Sequence, residues 1–217
     1  MTLICLDGVD GAGKTTQVKL LKAYFLSRGY SVVILKPYHL IRPAIGKDNK
    51  GFRKLTGILK QERIVNSGHK TYKIGDHIIE LILIIITIVY YKLEIMLSKI
   101  IYGSNSVIIY DRFYFDKLIP KNVIQFKLYY LILKNNIDLQ CIILDVPTSV
   151  AYKRMTDTYD KLMPEKYYYI IRKWYRIYAR LLNFPIINTL QYSPLVTHAM
   201  ITSLLKTKIP KQRVNNL

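Results

Sequence analysis

The sequence predicts an α/β fold, a five-stranded parallel sheet with helices on both faces. Three observations predict it. Five short apolar runs stand at wide spacing, and most are continuous rather than alternating, as expected of strands covered on both sides. Stretches with apolar residues at helical spacing separate them. The first run leads directly into a glycine-rich loop that opens a helix, the strand–loop–helix unit of open parallel sheets.

Taken in order, the first strand is expected at Thr2–Leu6, reaching Asp7. Val18, Leu21 and Phe25, flanked by Leu20 and Tyr24, predict a helix over Thr15–Ser27. Gly29 stands where a helix end favours a left-handed residue. The second strand is expected at Ser31–Leu35. Residues 36–77, rich in lysine and carrying Pro37, Pro43 and five glycines, read as loop and short-helix structure outside the sheet. A long helix is expected over Ile78–Ile101, with Gly103 just beyond. Its apolar run, Leu81–Tyr91, is shorter than the about 20 residues a membrane span needs and is fenced by Glu80, Lys92 and Glu94, so it reads as a buried helix.

Val107–Tyr110 is the third strand, followed by a helix over Asn122–Lys134. Gln140–Val146 is the fourth, after which Ser149 can cap a short helix running to Met155. A polar stretch, 155–166, has the composition of a lid. Glu165–Leu182 follows, with Tyr167, Ile170, Ile171, Trp174, Ile177, Tyr178 and Leu181 as the expected core stripe. A fifth strand at Pro185–Asn188 and a helix over Leu195–Leu205 complete the pattern. Residues 1–205 therefore read as one domain, and 206–217, with Lys206, Lys208, Lys211 and Arg213 and no acid, as a basic tail.

The composition narrows the function classes. At 51% hydrophobic residues the chain can bury a core and is not of the disordered class. Cys5 and Cys141, both inside apolar runs, read as small buried hydrophobes rather than as a disulfide or metal pair, which suits a reducing compartment. The first strand starts at once, no signal peptide is visible, and the expected location is cytoplasmic. The 33 basic and 14 acidic residues give a net charge of +19. That is compatible with a nucleic-acid partner, but the basic residues are scattered along the chain, so direct binding is not favoured from sequence.

Gly8-Val-Asp-Gly-Ala-Gly-Lys-Thr15 fits the phosphate-loop pattern of glycine, four residues, glycine, lysine, then serine or threonine. Glycines allow the tight turns that aim backbone N–H groups at phosphate oxygens. Lys14 can reach the outer phosphates as a point charge, Thr15 offers a hydroxyl to magnesium, and the following helix points its positive end at the anion. The expected ATP-binding residues are Gly8, Val9, Asp10, Gly11, Ala12, Gly13, Lys14, Thr15 and Thr16. Asp111 and Arg112 end the third strand, where ligands bind in this architecture. There an acid can hold magnesium and an arginine can fork onto a second phosphate. Asp10, a carboxylate among phosphate-facing amides, makes sense if it approaches a second substrate or the metal.

Leu6-Asp-Gly-Val-Asp-Gly-Ala-Gly-Lys-Thr-Thr-Gln17 strongly resembles the opening of thymidylate kinases. Tyr110-Asp-Arg-Phe-Tyr114 resembles their Asp-Arg-Tyr motif. Leu144-Asp-Val-Pro147 with Ala151-Tyr-Lys-Arg154 resembles the approach to their lid, and Asp76-His-Ile-Ile-Glu-Leu81 the entry to their nucleobase helix. The resemblance spans about residues 2–180. It implies a P-loop NTPase fold and transfer of the γ-phosphoryl of ATP to thymidine monophosphate with magnesium, in a homodimer formed through long apolar helices. It implies catalytic roles for Lys14, Asp10 and Arg112, acceptor contacts from Asp10, Arg42 and Arg112, and magnesium on Thr15 and Asp111.

Where the family's nucleobase helix carries Ala-Asp-Arg or Ala-Asn-Arg, this chain has Ile85-Ile86-Thr87, a divergence at the base site. Three readings thus stand. One is a thymidylate kinase. Another is a deoxynucleoside kinase, or a divergent paralogue with a different acceptor. The last is an ATP-binding protein associated with nucleic acid.

Overall fold

The computed structural model describes residues 1–36, 85, 89, 92–103, 105–112, 126–127, 130–131, 134, 139–155 and 164–206. The chain forms two compact units, Met1–Pro37 with Tyr102–Leu217, and Tyr38–Ile101.

The first unit holds all five strands: β1 (Thr2–Asp7), β2 (Ser31–Leu35), β3 (Ser106–Asp111), β4 (Gln140–Asp145) and β5 (Ile186–Asn188). They form one sheet in the order β2-β3-β1-β4-β5, and every pairing is parallel. Each strand lies within a residue or so of its expected position. Continuous Val, Ile, Leu and Cys runs mark these strands because both of their faces are covered. Ile4, Leu6, Ile108, Ile109, Ile142 and Ile143 are all buried. The expected start of β5 shifts from Pro185 to Ile186. Proline has no N–H to give the ladder, but its carbonyl accepts from the Ile143 N–H at 2.9 Å, so pairing begins there.

Four helices of this unit are described end to end: α1 (Lys14–Leu26), α2 (Thr148–Arg154), α3 (Glu165–Leu181) and α4 (Pro194–Lys206). α1 packs on β1, β2, β3 and α4, while α3 packs on β4 and α2. Leu21 and Phe25 of α1 and Ile201 and Leu205 of α4 are buried.

Two helix expectations need correction. The residue before α2 is Pro147, in an extended conformation, and no side chain caps the helix; Ser149 lies inside it. Proline's fixed φ is already suited to a helix start. On α3 the buried set is Tyr168, Ile171, Tyr175, Tyr178 and Ala179, sharing only Ile171 and Tyr178 with the expected stripe. Aromatic and aliphatic residues occur on most sides of this helix, so spacing alone does not fix which side turns inward.

In the second unit, residues 92–101 are helical, as are Ile85 and Val89. The expected burial of the run Leu81–Tyr91 fails at its two described residues, since Ile85 and Val89 are exposed. No helix among the described residues is long and apolar enough to cross a membrane.

Candidate active site

The carboxyl ends of β1, β3 and β4 lie side by side, and each strand ends in aspartate: Asp7, Asp111 and Asp145. The phosphate loop leaves β1 at this edge. Gly8, Gly11 and Gly13 all have positive φ. Two are held closely against the segment running from β4 into α2. A Cβ on Gly8 would lie 2.1 Å from the Leu144 carbonyl oxygen, and one on Gly11 would lie 2.4 Å from that of Ala151. The loop is seated on β4 and α2, and only glycine fits at these two contacts.

Gly13 ends the loop in a left-handed conformation and opens α1. The first helical bond of α1 runs from the Gln17 N–H to the Gly13 carbonyl at 3.1 Å. The amides of Lys14, Thr15 and Thr16 precede it, and so are among the N–H groups a helix start leaves without helical acceptors. No acidic residue stands in this turn. Thr15 and Thr16 are exposed, whereas Val9 and Ala12 are buried beneath the loop. Every residue of the expected ATP cradle is therefore part of one local structure at a helix start.

Lys14 is only 5% exposed. Its Nζ donates to the Gly8 and Val9 carbonyls, each at 2.8 Å, and faces Asp10 Oδ1 at 3.4 Å. Burial, and then the Arg112 charge, push the ammonium below the usual lysine range, while Asp10 and Asp7 act in the opposite direction.

Arg112 reaches Asp10 from the end of β3, 102 residues away. Its Nη1 donates to Asp10 Oδ2 at 3.3 Å and its Nη2 to Oδ1, a two-pronged grip on the carboxylate. Burial works to raise the Asp10 carboxyl, but Lys14 and Arg112 outweigh it and hold the group below its ordinary value. Arg112 has φ +84°, a left-handed backbone rare for a non-glycine residue, and its N–H donates to the Leu6 carbonyl at 3.0 Å. The ladder thus continues one step beyond β3 and anchors the residue while its side chain turns over the loop. Lys14, Asp10 and Arg112, the three expected catalytic residues, form one contiguous charged group.

Asp111 is buried, with Oδ2 3.9 Å from Lys36 Nζ. Its Oδ1 has no hydrogen-bond partner among the described residues. A buried carboxylate oxygen without a donor is suited to a cation. With the exposed Thr15 hydroxyl also at this edge, the residues present fit a magnesium ion. Arg42 lies outside the described residues, as do 156–163 of the expected lid and 207–217 of the basic tail.

Sequence reasoning missed two groups. Asp7 is fully buried, and its Oδ1 accepts from the Gly8 N–H at 2.8 Å, fixing the start of the loop and adding negative charge near Lys14. The signal was an acid ending an apolar strand immediately before the first loop glycine. Arg172 of α3 grips Asp145, with Nε to Oδ1 at 2.6 Å and Nη2 to Oδ2 at 2.8 Å, tying the helix that follows the lid stretch to the end of β4. Gln17, part of the opening motif, donates through Nε2 to the Pro194 carbonyl at 2.8 Å, joining α1 to the start of α4. Cys5 and Cys141 face each other across β1 and β4 as free, buried thiols. Burial pushes both upward, so neither is a ready nucleophile.

A parallel sheet with the phosphate loop at its central strand, and an arginine pinned beside it, defines a P-loop nucleotide-binding fold. Comparison with known proteins narrows the class. The family model described as thymidylate kinase matches residues 6–43. A probable thymidylate kinase of Thermococcus kodakarensis is 28% identical, the match covering 96% of this chain and 99% of that protein. Another, from Pyrococcus horikoshii, is also 28% identical and covers 70% of this chain and 68% of that protein.

Among solved structures, a deoxyadenosine kinase from M. mycoides superposes with a TM-score of 0.56 at 17% identity, covering 95% of this chain and all of that one. A thymidylate kinase from Ehrlichia chaffeensis gives 0.51 at 19%, covering 94% and 98%. These two likenesses establish the fold. The chain is similar to the thymidylate kinase family, and these similarities support a nucleotide kinase.

Proposed function

We propose that the protein transfers the γ-phosphoryl group of ATP to thymidine monophosphate, giving ADP and thymidine diphosphate. The observation that carries this reading is the Lys14–Asp10–Arg112 group, which joins the phosphate loop to the end of β3. The loop amides and Lys14 would hold the outer phosphates of ATP. Arg112, 43% exposed, would present its guanidinium to the acceptor phosphate, while Asp10 sets its direction. Arg42 is assigned to the same phosphate.

An acceptor phosphate oxygen attacks the γ-phosphorus as the bond to the β–γ bridging oxygen breaks. That acceptor oxygen already carries charge, so no side chain has to remove a proton. The protein's task is to position two anions and neutralise their repulsion. Thr15 and Asp111 are the residues that would hold magnesium, which when bound neutralises charge on the transferring phosphates.

The test offers purified protein ATP with a panel of nucleoside monophosphates and nucleosides, and follows ADP. Thymidine monophosphate is expected to be the preferred acceptor. Turnover confined to nucleosides would replace this reading with a deoxynucleoside kinase. Arg112→Ala should raise the acceptor KM by about 10- to 100-fold, the worth of a charged hydrogen bond, with the KM for ATP within about twofold. A change confined to ATP would remove Arg112 from the acceptor site.

The reading extends to a dimer of identical chains. Ile85, Val89, Leu93, Met96 and Ile100 are exposed at intervals of four, four, three and four residues on one helical face. A second copy of the same stripe is the occupant that buries it symmetrically. Size-exclusion chromatography with light scattering should give twice the chain mass for the wild-type protein and a monomer for Leu93→Asp/Met96→Asp. A wild-type monomer at micromolar concentration would refute the dimer.

A further inference from the structure

Outside the phosphate loop, the described residues carry a basic face on α3. A cavity of about 300 Å3 is lined there, among the described residues, by Tyr169, Arg172, Lys173, Arg176, Ile177 and Arg180. These positions recur at three- and four-residue spacing along one side of the helix, and four of the six are basic. Arg172 is committed to Asp145. Lys173, Arg176 and Arg180 are exposed and have no acidic partner among the described residues. The sole acid of α3 is Glu165, in the first turn at the far end. Three cations on one face repel each other, and no acid among the described residues pairs with them.

The stripe from Tyr169 to Arg180 runs along about 16 Å of helix at a rise of ~1.5 Å per residue. That is too long for the phosphates of one nucleotide to engage throughout. It is long enough to meet several phosphates of a nucleic-acid strand in turn. Tyr169 is 60% exposed at one end, presenting an aromatic face on which an unpaired base can stack.

We propose that this face of α3 binds single-stranded nucleic acid, with Lys173, Arg176 and Arg180 on successive phosphates and Tyr169 against a base. The interaction is separate from the phosphate loop and independent of base sequence. It gives the +19 charge of the chain a place to act.

The experiment titrates the full-length protein into a fluorescein-labelled, mixed-sequence DNA strand of about 20 nucleotides, reading anisotropy between 50 and 200 mM salt. The comparison is Lys173→Gln/Arg176→Gln/Arg180→Gln. Releasing three counterions at ~0.7 each gives the wild type a log–log salt slope steeper by about 2. Over that salt range its affinity should fall about 20-fold more than that of the variant. Tyr169→Ala should weaken binding about 5- to 100-fold without changing the slope. Turnover of ATP should be the same in wild type and variants, since none of these residues belongs to the phosphate site.

No binding by the wild type, an unchanged slope in the triple variant, or displacement of the strand by saturating ATP would each overturn the proposal. So would binding only to vesicles containing anionic phospholipid, which would make the face a membrane contact.

Discussion

Lys14→Ala is expected to lower the rate of phosphoryl transfer by about 10³-fold, the order seen when one preorganised charged or hydrogen-bonding group is removed from a developing negative charge. The fold should survive. Lys14 is buried, and burial holds its ammonium below the usual lysine range despite Asp7 and Asp10, so keeping the charge there costs folding free energy. The unfolded chain therefore holds this proton more tightly than the folded one. Between the folded value and the ordinary value of 10.5, wild-type stability should rise with pH through this group, and the alanine variant should lack that rise. The same depression sets the activity profile. The kcat/KM for ATP reports the free enzyme, and its alkaline limb should begin below the ordinary lysine range as Lys14 loses its proton. Turnover within tenfold of wild type, in a variant that melts normally, would exclude Lys14 from the reaction.

Gly8→Ala should produce the largest loss of stability from the smallest change. The backbone there has φ +138°, and the new Cβ would lie 2.1 Å from the Leu144 carbonyl oxygen, a backbone atom of the central sheet. Strained backbone costs roughly 1–3 kcal/mol and overpacking against a fixed neighbour roughly another 1–3. Together these correspond to a fall in Tm of roughly 5–20 °C for a chain of this size. ATP binding should fall with it, because the loop must lift off β4 to accommodate the methyl group. Gly13→Ala is the control for stability. Gly13 also has a positive φ, but its Cβ would meet nothing within 4 Å, so only the backbone cost remains. Equal melting of the two variants, measured by calorimetry or circular dichroism, would show that close seating on β4 does not hold the loop.

Much of the site was legible in the residues because the phosphate loop is made by local chemistry. Gly8, Gly11 and Gly13 take conformations that other residues resist, and Lys14 and Thr15 follow them at the helix start. The strands were legible for a related reason, since an uninterrupted apolar run such as Cys141–Leu144 leaves no polar face for water. α3 was less so. Residues 167–181 carry tyrosine, tryptophan, isoleucine or leucine on nearly every side, so two different stripes satisfy the same spacing. The packing against β4 and α2 selects Tyr168, Ile171 and Tyr175. Asp7 was passed over although it ends an apolar strand just before the first loop glycine; its full burial and its bond to the Gly8 N–H show what it does there.

By itself the sequence determined that this chain has a parallel α/β sheet and a loop for phosphates. Both follow from interactions spanning a few neighbouring residues: backbone freedom at glycine, continuous apolar runs, and unpaired amides at a helix start. Tertiary structure alone decided which charges meet. Arg112 grips Asp10 because β3 lies beside β1 in register, and Arg172 grips Asp145 because α3 returns to the end of β4. Lys173, Arg176 and Arg180, unremarkable among 33 basic residues, became one face because a helix aligns them and no acid among the described residues meets them. Coulomb attraction and hydrogen bonding act over a few ångströms, and only the packed chain brings residues a hundred positions apart to that distance.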